Sequence, residues 1–228
     1  MQKIFLCCFF FAIHWGFFSI AIAGNENPFA ESLRTNRHLA ETGDSEGQYQ
    51  LGKHFDYGWG VARDAVEAAK WYTKAASQGN IEAQHSLGLL NTHAGNYIFA
   101  NPKNSVKWFR AAAEQGHASS QMFLADAYVE GDGVVRNYAE AAKWYQKATV
   151  QGDGMAMHGL AVLYAKGFGI PKDLVKAYAW NNVSATQGWG MAKTYREELE
   201  KMMTRVQLNQ AQKMSIELFK KYGTEHRD

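Results

Sequence analysis

A ten-residue pattern recurs along this chain at a nearly constant spacing. The segment KWYTKAASQG at 70–79 returns as KWFRAAAEQG at 107–116, as KWYQKATVQG at 143–152 and, more loosely, as AWNNVSATQG at 179–188. The last residues of these segments, Gly79, Gly116, Gly152 and Gly188, are 37, 36 and 36 positions apart. A fixed period of this length is typical of repeat architectures, in which each unit packs only against its neighbours.

Each repeat is predicted to be a hairpin of two helices. The residues before each final glycine are strong helix formers, and the glycine suits the left-handed position just past a helix end. An earlier helix is indicated by a leucine followed by a small residue: Leu51-Gly52, Leu87-Gly88, Leu124-Ala125 and Leu160-Ala161. Paired glycines predict the turn between the two helices in three copies: Gly58-Trp59-Gly60, Gly131-Asp132-Gly133 and Gly167-Phe168-Gly169.

Stacked hairpins of this kind predict an all-α fold, a right-handed α-solenoid of antiparallel helix pairs. A column of tryptophans stands eight residues before the final glycines: Trp71, Trp108, Trp144 and Trp180. Because one hairpin cannot bury its apolar faces alone, we interpret this column as core packing between neighbours rather than as a ligand cage.

The combined motif of Leu-Gly, an aromatic residue, Gly-x-Gly-Val, Trp-Tyr, Lys-Ala-Ala and Gln-Gly resembles the Sel-1-like repeat, a relative of the tetratricopeptide repeat. Four copies are predicted at 44–79, 80–116, 117–152 and 153–188, with a capping helix at 24–43 and capping helices at 189–228. The second copy departs from the pattern, since it has one extra residue, Asn91 instead of an aromatic residue, and no Gly-x-Gly-Val. Its connection, 91–103, is either decayed or modified.

The first 23 residues have the pattern of a secretory signal peptide. Lys3 precedes an apolar stretch from Ile4 to Phe18, and the small-residue pattern Ala21-Ile22-Ala23 follows. Cleavage would remove both cysteines of the chain, Cys7 and Cys8, and a periplasmic or secreted location is expected. Retention of the segment as a membrane anchor is the alternative. With 24 basic and 22 acidic residues, the chain is not expected to bind nucleic acid, or a membrane after cleavage.

Signatures of catalysis are missing from the sequence, and no enzyme activity is expected. The chain contains no His-Glu-x-x-His, no Gly-x-Ser-x-Gly and no phosphate-binding loop. Five histidines are spread over the four repeats without the short spacing of metal ligands: His54, His85, His93, His117 and His158. We therefore expect neither a metal nor a cofactor.

The resemblance indicates where a partner would bind. In tetratricopeptide-like arrays, first-helix positions two residues before and two after the marked leucine line a concave groove. By this register the candidate binding residues are Tyr49, Lys53, His85, Leu89, Met122, Asp126, His158 and Val162. Tyr, His and Met suit a protein or peptide partner. The alternative is that these residues simply cover a solvated face.

Two classes of function follow from the resemblance. The first is an exported, monomeric interaction scaffold, such as an envelope adaptor or a periplasmic immunity protein against a secreted toxic lipase. The alternative is a cell-wall or β-lactam-binding protein with weak hydrolase activity, because a cysteine-rich branch of the family has been linked to that chemistry. That branch carries a cysteine pair in every repeat, whereas the two cysteines here lie in the predicted signal peptide.

Overall fold

The computed structural model describes residues 28–92 and 100–223, and the predicted signal peptide lies outside these ranges. The described residues form helices without any strand, which confirms the all-α solenoid. In chain order the helices are α1 (Ala30–Glu41), α2 (Ser45–Tyr57), α3 (Ala65–Ser77), α4 (Ile81–Leu90), α5 (Pro102–Glu114), α6 (Ala118–Glu130), α7 (Tyr138–Thr149), α8 (Gly154–Lys166), α9 (Leu174–Thr186), α10 (Gly190–Met202) and α11 (Arg205–Tyr222). None of these helices has the length and apolar character needed to span a bilayer.

The helices pack in chain order. The hairpins α2–α3, α4–α5, α6–α7 and α8–α9 are the four repeats, and each second helix also packs against the first helix of the next repeat. Helix α1 packs against α2 as a preceding second helix would, and α10 and α11 both pack against α9. The even-numbered helices α2, α4, α6 and α8 are called first helices below, and α3, α5, α7 and α9 second helices.

Local sequence accounts for the helix ends. Asp44 caps α2, where its Oδ1 accepts a 2.6 Å hydrogen bond from the backbone N–H of Gly47. The first helices α2, α6 and α8 end at left-handed glycines, such as Gly58 with φ 73°. The final glycines of the ten-residue pattern also have positive φ, between 84° at Gly188 and 97° at Gly116. These glycines stop the helices as the sequence predicts.

The irregular connection of the second repeat is closed by the same backbone hydrogen bond as the connection of the first repeat. In the first repeat the backbone N–H of Asp64 donates to the carbonyl of Phe55 over 2.8 Å. The equivalent bond of the second repeat, from Asn101 to Asn91, is 3.0 Å long. The side chain of Asn91 also donates to the carbonyl of Leu87 at 2.8 Å, which caps the end of α4. The loss of the aromatic residue therefore leaves the hairpin closed in the usual register.

The structure confirms that Trp108, Trp144 and Trp180 pack against the core between repeats, but it places other residues at the centre of each hairpin. An aromatic residue after each of the first three tryptophans fills the core, since Tyr72, Phe109 and Tyr145 are 1%, 2% and 4% exposed. The tryptophans themselves are only partly buried. Trp108 packs against the cluster formed by α3 and α4, so it lies at the seam between repeats. The reason is geometric, because neighbouring residues on a helix point about 100° apart and only one can face the hairpin interior.

Pairs of glutamines connect the two helices within each of the first three repeats. Gln78 at the end of α3 donates to the Oε1 of Gln48 at 2.8 Å, and the Nε2 of Gln48 donates to the carbonyl of Ala40 in α1 at 3.3 Å. The same chain of bonds recurs as Gln115–Gln84–Ala76 and Gln151–Gln121–Ala113. In the fourth repeat Met157 replaces the glutamine, and the Nε2 of Gln187 is buried without a partner among the described residues.

Candidate functional site: the first-helix face

The residues predicted to line the groove do not share one environment. Leu89 is 37% exposed, and the side chains of Tyr49, Lys53, His85, Asp126, His158 and Val162 are partly exposed. These seven residues and Phe123, described below, are called the first-helix face. The seven predicted residues stand at matching positions of α2, α4, α6 and α8, so successive repeats bring them side by side.

Met122 is the exception and is a correction to the predicted site. Its side chain is 3% exposed and belongs to a core cluster with Tyr145, Ala156 and Leu160. The next first helix carries Gly159 at the seam, and a Cβ there would lie 2.5 Å from the Tyr145 ring. The glycine makes room for that ring, and the apolar core extends to this position. Met122 therefore cannot contact a partner.

Phe123 is the aromatic side chain that the register missed. It is partly buried, and its ring stacks on Phe109 with centroids 4.9 Å apart. The centroid of His85 lies 5.9 Å from the Phe123 ring. Phe123 lies one residue after Met122, the position at which the register predicts a binding residue. Including the neighbours of each register position, which a small helical twist between repeats could expose instead, would have found it.

Aromatic side chains surround Lys53 at the beginning of the array. The Lys53 Nζ lies 5.4 Å from the ring centroids of both Tyr49 and Trp59. Burial, helped by nearby carboxylates, raises the pKa of the Tyr49 hydroxyl to about 12. The hydroxyl therefore stays protonated at neutral pH. Trp59, which the sequence placed only in a turn, stacks between Phe29 at 5.6 Å and Tyr57 at 4.8 Å.

A hydrogen-bond chain determines the tautomer of His85. The backbone N–H of Ser120 donates to the Nδ1 of His117 at 3.1 Å, so that nitrogen carries no proton. The Ser120 hydroxyl lies 2.9 Å from the same Nδ1 and 2.8 Å from the Nδ1 of His85. Its single hydrogen points to His117, and it accepts from the N–H of His85. The Nε2 of His85 is consequently an acceptor.

The environment also keeps His85 neutral. Burial lowers the pKa of its imidazole to about 4, and the nearby His117 ring, with its centroid 4.4 Å away, acts in the same direction. The low pKa keeps the ring neutral, and so preserves the acceptor, at neutral pH. Among the residues that the structure describes, no group is hydrogen-bonded to the Nε2 of His85.

His158 repeats this arrangement two repeats later. The Nδ2 of Asn181 donates to the carbonyl of Ala192 at 2.6 Å, which orients the amide and leaves its Oδ1 as an acceptor. The Nδ1 of His158 lies 2.7 Å from that Oδ1 and must donate to it. The Nε2 of His158 is therefore a second acceptor, beside the Tyr195 ring at 5.5 Å.

Asp126 adds a carboxylate to the face. The Tyr145 hydroxyl donates to its Oδ1 through a short hydrogen bond. Burial raises the pKa of Asp126 to about 6; the bond from Tyr145 partly opposes this change, and the charges of Glu130 and Asp153 reinforce it. Within residues 28–92 and 100–223, no lysine or arginine forms an ion pair with Asp126. The same ranges contain no cluster of three metal-ligating side chains.

Replacing Asp126 by asparagine is expected to stabilise the protein at pH 7.5. The pKa of Asp126 is about 6 in the folded state and near 3.9 in an unfolded chain. Protonation of Asp126 therefore favours the folded state. This contribution to stability is complete below about pH 4 and is lost as the pH rises through 6. Asparagine carries no charge and can still accept from Tyr145. We expect Asp126→Asn to gain about 1 to 2 kcal/mol at pH 7.5 and nothing at pH 4.

Urea unfolding between pH 4 and pH 7.5 measures this difference. Asp132→Asn is the matched control, since Asp132 is an exposed carboxylate in the loop after α6. The free energies of unfolding of wild type and Asp126→Asn should diverge through pH 5 to 6. Two parallel curves would show that the fold does not penalise the ionised Asp126.

The first-helix face belongs to a solenoid of helical hairpins, and the second helices of its first three repeats carry the Trp-aromatic pairs. The model of the Sel1 repeat matches residues 45–80, 81–117, 118–153 and 154–188, and the chain belongs to the Sel1 repeat family. Each matched unit begins one residue after the corresponding unit predicted from the sequence. Among curated proteins, none matches the chain.

Two solved structures are similar to this protein. One is c5321, described as a protective antigen present in uropathogenic Escherichia coli strains and displaying an SLR fold, with 36% identity and a TM-score of 0.78. The match covers 90% of this chain and 44% of c5321, so the chain spans less than half the length of that relative. The other is a Sel1 repeat protein from Oxalobacter formigenes, with 31% identity, a TM-score of 0.67 and coverage of 85% and 82% of the two chains.

Proposed function

We propose that this protein is a monomeric binding scaffold that holds a partner protein against its first-helix face. A Sel1 repeat array is suited to protein–protein interaction. The observation that carries the proposal is a row of partly exposed polar and aromatic side chains held by contacts within the protein. The Nδ1 of His85 is fixed by Ser120, the Nδ1 of His158 by Asn181, and Asp126 by Tyr145.

Fixed side chains favour binding because their rotamer freedom is already lost before a partner arrives. Exposed Leu89 and partly exposed Val162 lie between these polar groups in the same register and offer apolar contact. A mixture of anchored polar groups, rings and aliphatic side chains is typical of protein-binding surfaces.

Photo-crosslinking tests the face directly. A photoreactive residue replaces Leu89, which is 37% exposed on α4, and a control chain carries it at Val66, which is 45% exposed on the second helix α3. In the producing cell we expect one dominant adduct from position 89 and none from position 66. Leu89→Glu should then prevent affinity capture of the adduct's partner, whereas Val66→Glu should not. Equal labelling from both positions would contradict the assignment.

We also propose that the protein is exported and cleaved after Ala23, supported by the charged, apolar and small-residue parts of residues 1–23. Mass spectrometry of protein from the periplasm and medium should find an N-terminus at Gly24. An intact N-terminus in the membrane fraction would support the anchor instead.

Two finer roles are compatible with such a scaffold, an envelope adaptor and a periplasmic immunity protein. The crosslinked partner separates them. An adaptor would yield an envelope component, whereas an immunity protein would yield a secreted lipase whose activity falls when the complex forms. The β-lactam-binding alternative gains no specific observation, because the described residues contain no cysteine.

A further inference from the structure

On helices α4, α6 and α8, the polar side chains of the first-helix face offer mainly hydrogen-bond acceptors. The tautomers established above leave the Nε2 atoms of His85 and His158 as acceptors. Asp126, on the helix between them, is an acceptor in its ionised form, and the one donor that the structure places on it is the Tyr145 hydroxyl. These three residues come from the consecutive first helices α4, α6 and α8.

We infer that the partner segment bound on this face carries a lysine or arginine side chain, which pairs with Asp126 beside His85. The inference rests on the proposed function and specifies the chemistry of its partner. A basic side chain has only donors, so it complements a carboxylate and a neutral imidazole acceptor at the same time.

Charge complementarity is the main argument. Two acidic side chains of the second helices have cations close by: Lys70 lies 2.8 Å from Glu67, and Lys143 lies 2.6 Å from Glu140. Asp126 has no such partner in the described residues, and its burial is enough to raise its pKa to about 6. A poorly solvated, unpaired carboxylate is unfavourable, and a cation supplied by a partner would relieve that cost on binding.

The neighbouring apolar groups suit the rest of a basic side chain. Leu89 and Val162 flank Asp126 in the register of the first helices, and both expose aliphatic surface. The Phe123 and His85 rings, 5.9 Å apart, add aromatic surface on the same side of α6 and α4. The methylene stem of lysine or arginine packs on such groups while its charged end reaches the carboxylate.

The charge of Lys53 distinguishes the first repeat from the third as a site for a basic side chain. This cation stands on α2, at the register that Asp126 occupies on α6, and it lies over the Tyr49 and Trp59 rings. It repels a basic side chain at the first repeat. A partner segment therefore aligns with its cation at the third repeat.

An array of random dodecapeptides tests this inference on the full chain. Peptides retained by the wild-type protein should be enriched in lysine or arginine. Fluorescence polarisation with the strongest of them should show at least a tenfold weaker affinity for Asp126→Asn, and unchanged affinity for Asp132→Asn. Replacing the basic residue of the peptide by glutamine should weaken binding to wild type by a similar factor. It should have little effect on binding to Asp126→Asn.

The outcomes separate this inference from the proposed function. Retained peptides that show no basic enrichment, and bind Asp126→Asn as tightly as wild type, overturn the inference. If Leu89→Glu still abolishes the binding of these peptides, the first-helix face remains the binding surface and the proposed function stands. No retained peptide, or binding indifferent to Leu89→Glu, counts against both. Because Asp126→Asn is expected to be more stable than wild type at pH 7.5, its loss of binding would not reflect unfolding.

Discussion

Replacing Gly133 by alanine is expected to destabilise the protein by about 3 kcal/mol or more. Gly133 has φ 71°, a backbone conformation that side-chain-bearing residues adopt at a cost of about 1 to 3 kcal/mol. A Cβ at this position would also lie less than 3.0 Å from the carbonyl group of Pro102 and the backbone nitrogen of Lys103. Those atoms belong to the first turn of α5 and cannot move independently of the preceding repeat.

Gly116 provides the control for backbone strain alone. Its φ is 97°, and a Cβ there would meet no atom within 4 Å. We expect Gly116→Ala to cost about 1 to 2 kcal/mol, so the difference between the two variants measures the contact between the loop and α5. Urea unfolding followed by circular dichroism gives both values. Equal costs would show that the loop withdraws from α5 without penalty.

Replacing Phe109 by alanine is expected to cost about 3 to 5 kcal/mol. Its side chain is 2% exposed and packs with Val106, Ala113 and Leu124. The ring also occupies the space left by Gly88, where a Cβ would come too close to it. Removing the ring therefore leaves a cavity at the centre of the second hairpin, and the rigid helices around it can close it only in part.

Trp71→Ala is the comparison, although tryptophan is the larger side chain. Trp71 is partly exposed and lines a shallow depression of about 500 Å³ on the outer side of α3, where Lys74 lies 3.8 Å from its ring centroid. Because much of the ring already contacts solvent, we expect a loss of only about 1 to 2 kcal/mol. Chemical denaturation of both variants decides the order. A greater loss for Trp71→Ala would contradict the order of burial that the structure gives these two side chains.

The candidate site was only partly accessible from the sequence. The register of the first helices located Tyr49, Lys53, Leu89 and Val162 on a face that has some exposure. The same register placed Met122 on this face, but Met122 is buried. Gly159 and Tyr145, which lie 37 and 23 residues further along the chain, extend the core over that position. Sequence spacing carries no information about which side chain fills a seam between two units.

The amino-acid sequence by itself determined the repeat unit, the helix ends and the order of packing. Helix propensity, capping side chains and left-handed glycines act over a few residues, and a period of 36 or 37 residues repeats their effect along the chain. Only the tertiary structure decided that Phe109 rather than Trp108 fills the core, and that His85 is a neutral acceptor. Both depend on side chains brought together from other helices, such as Ser120, which lies 35 residues beyond His85 and is joined to it by a single hydrogen bond.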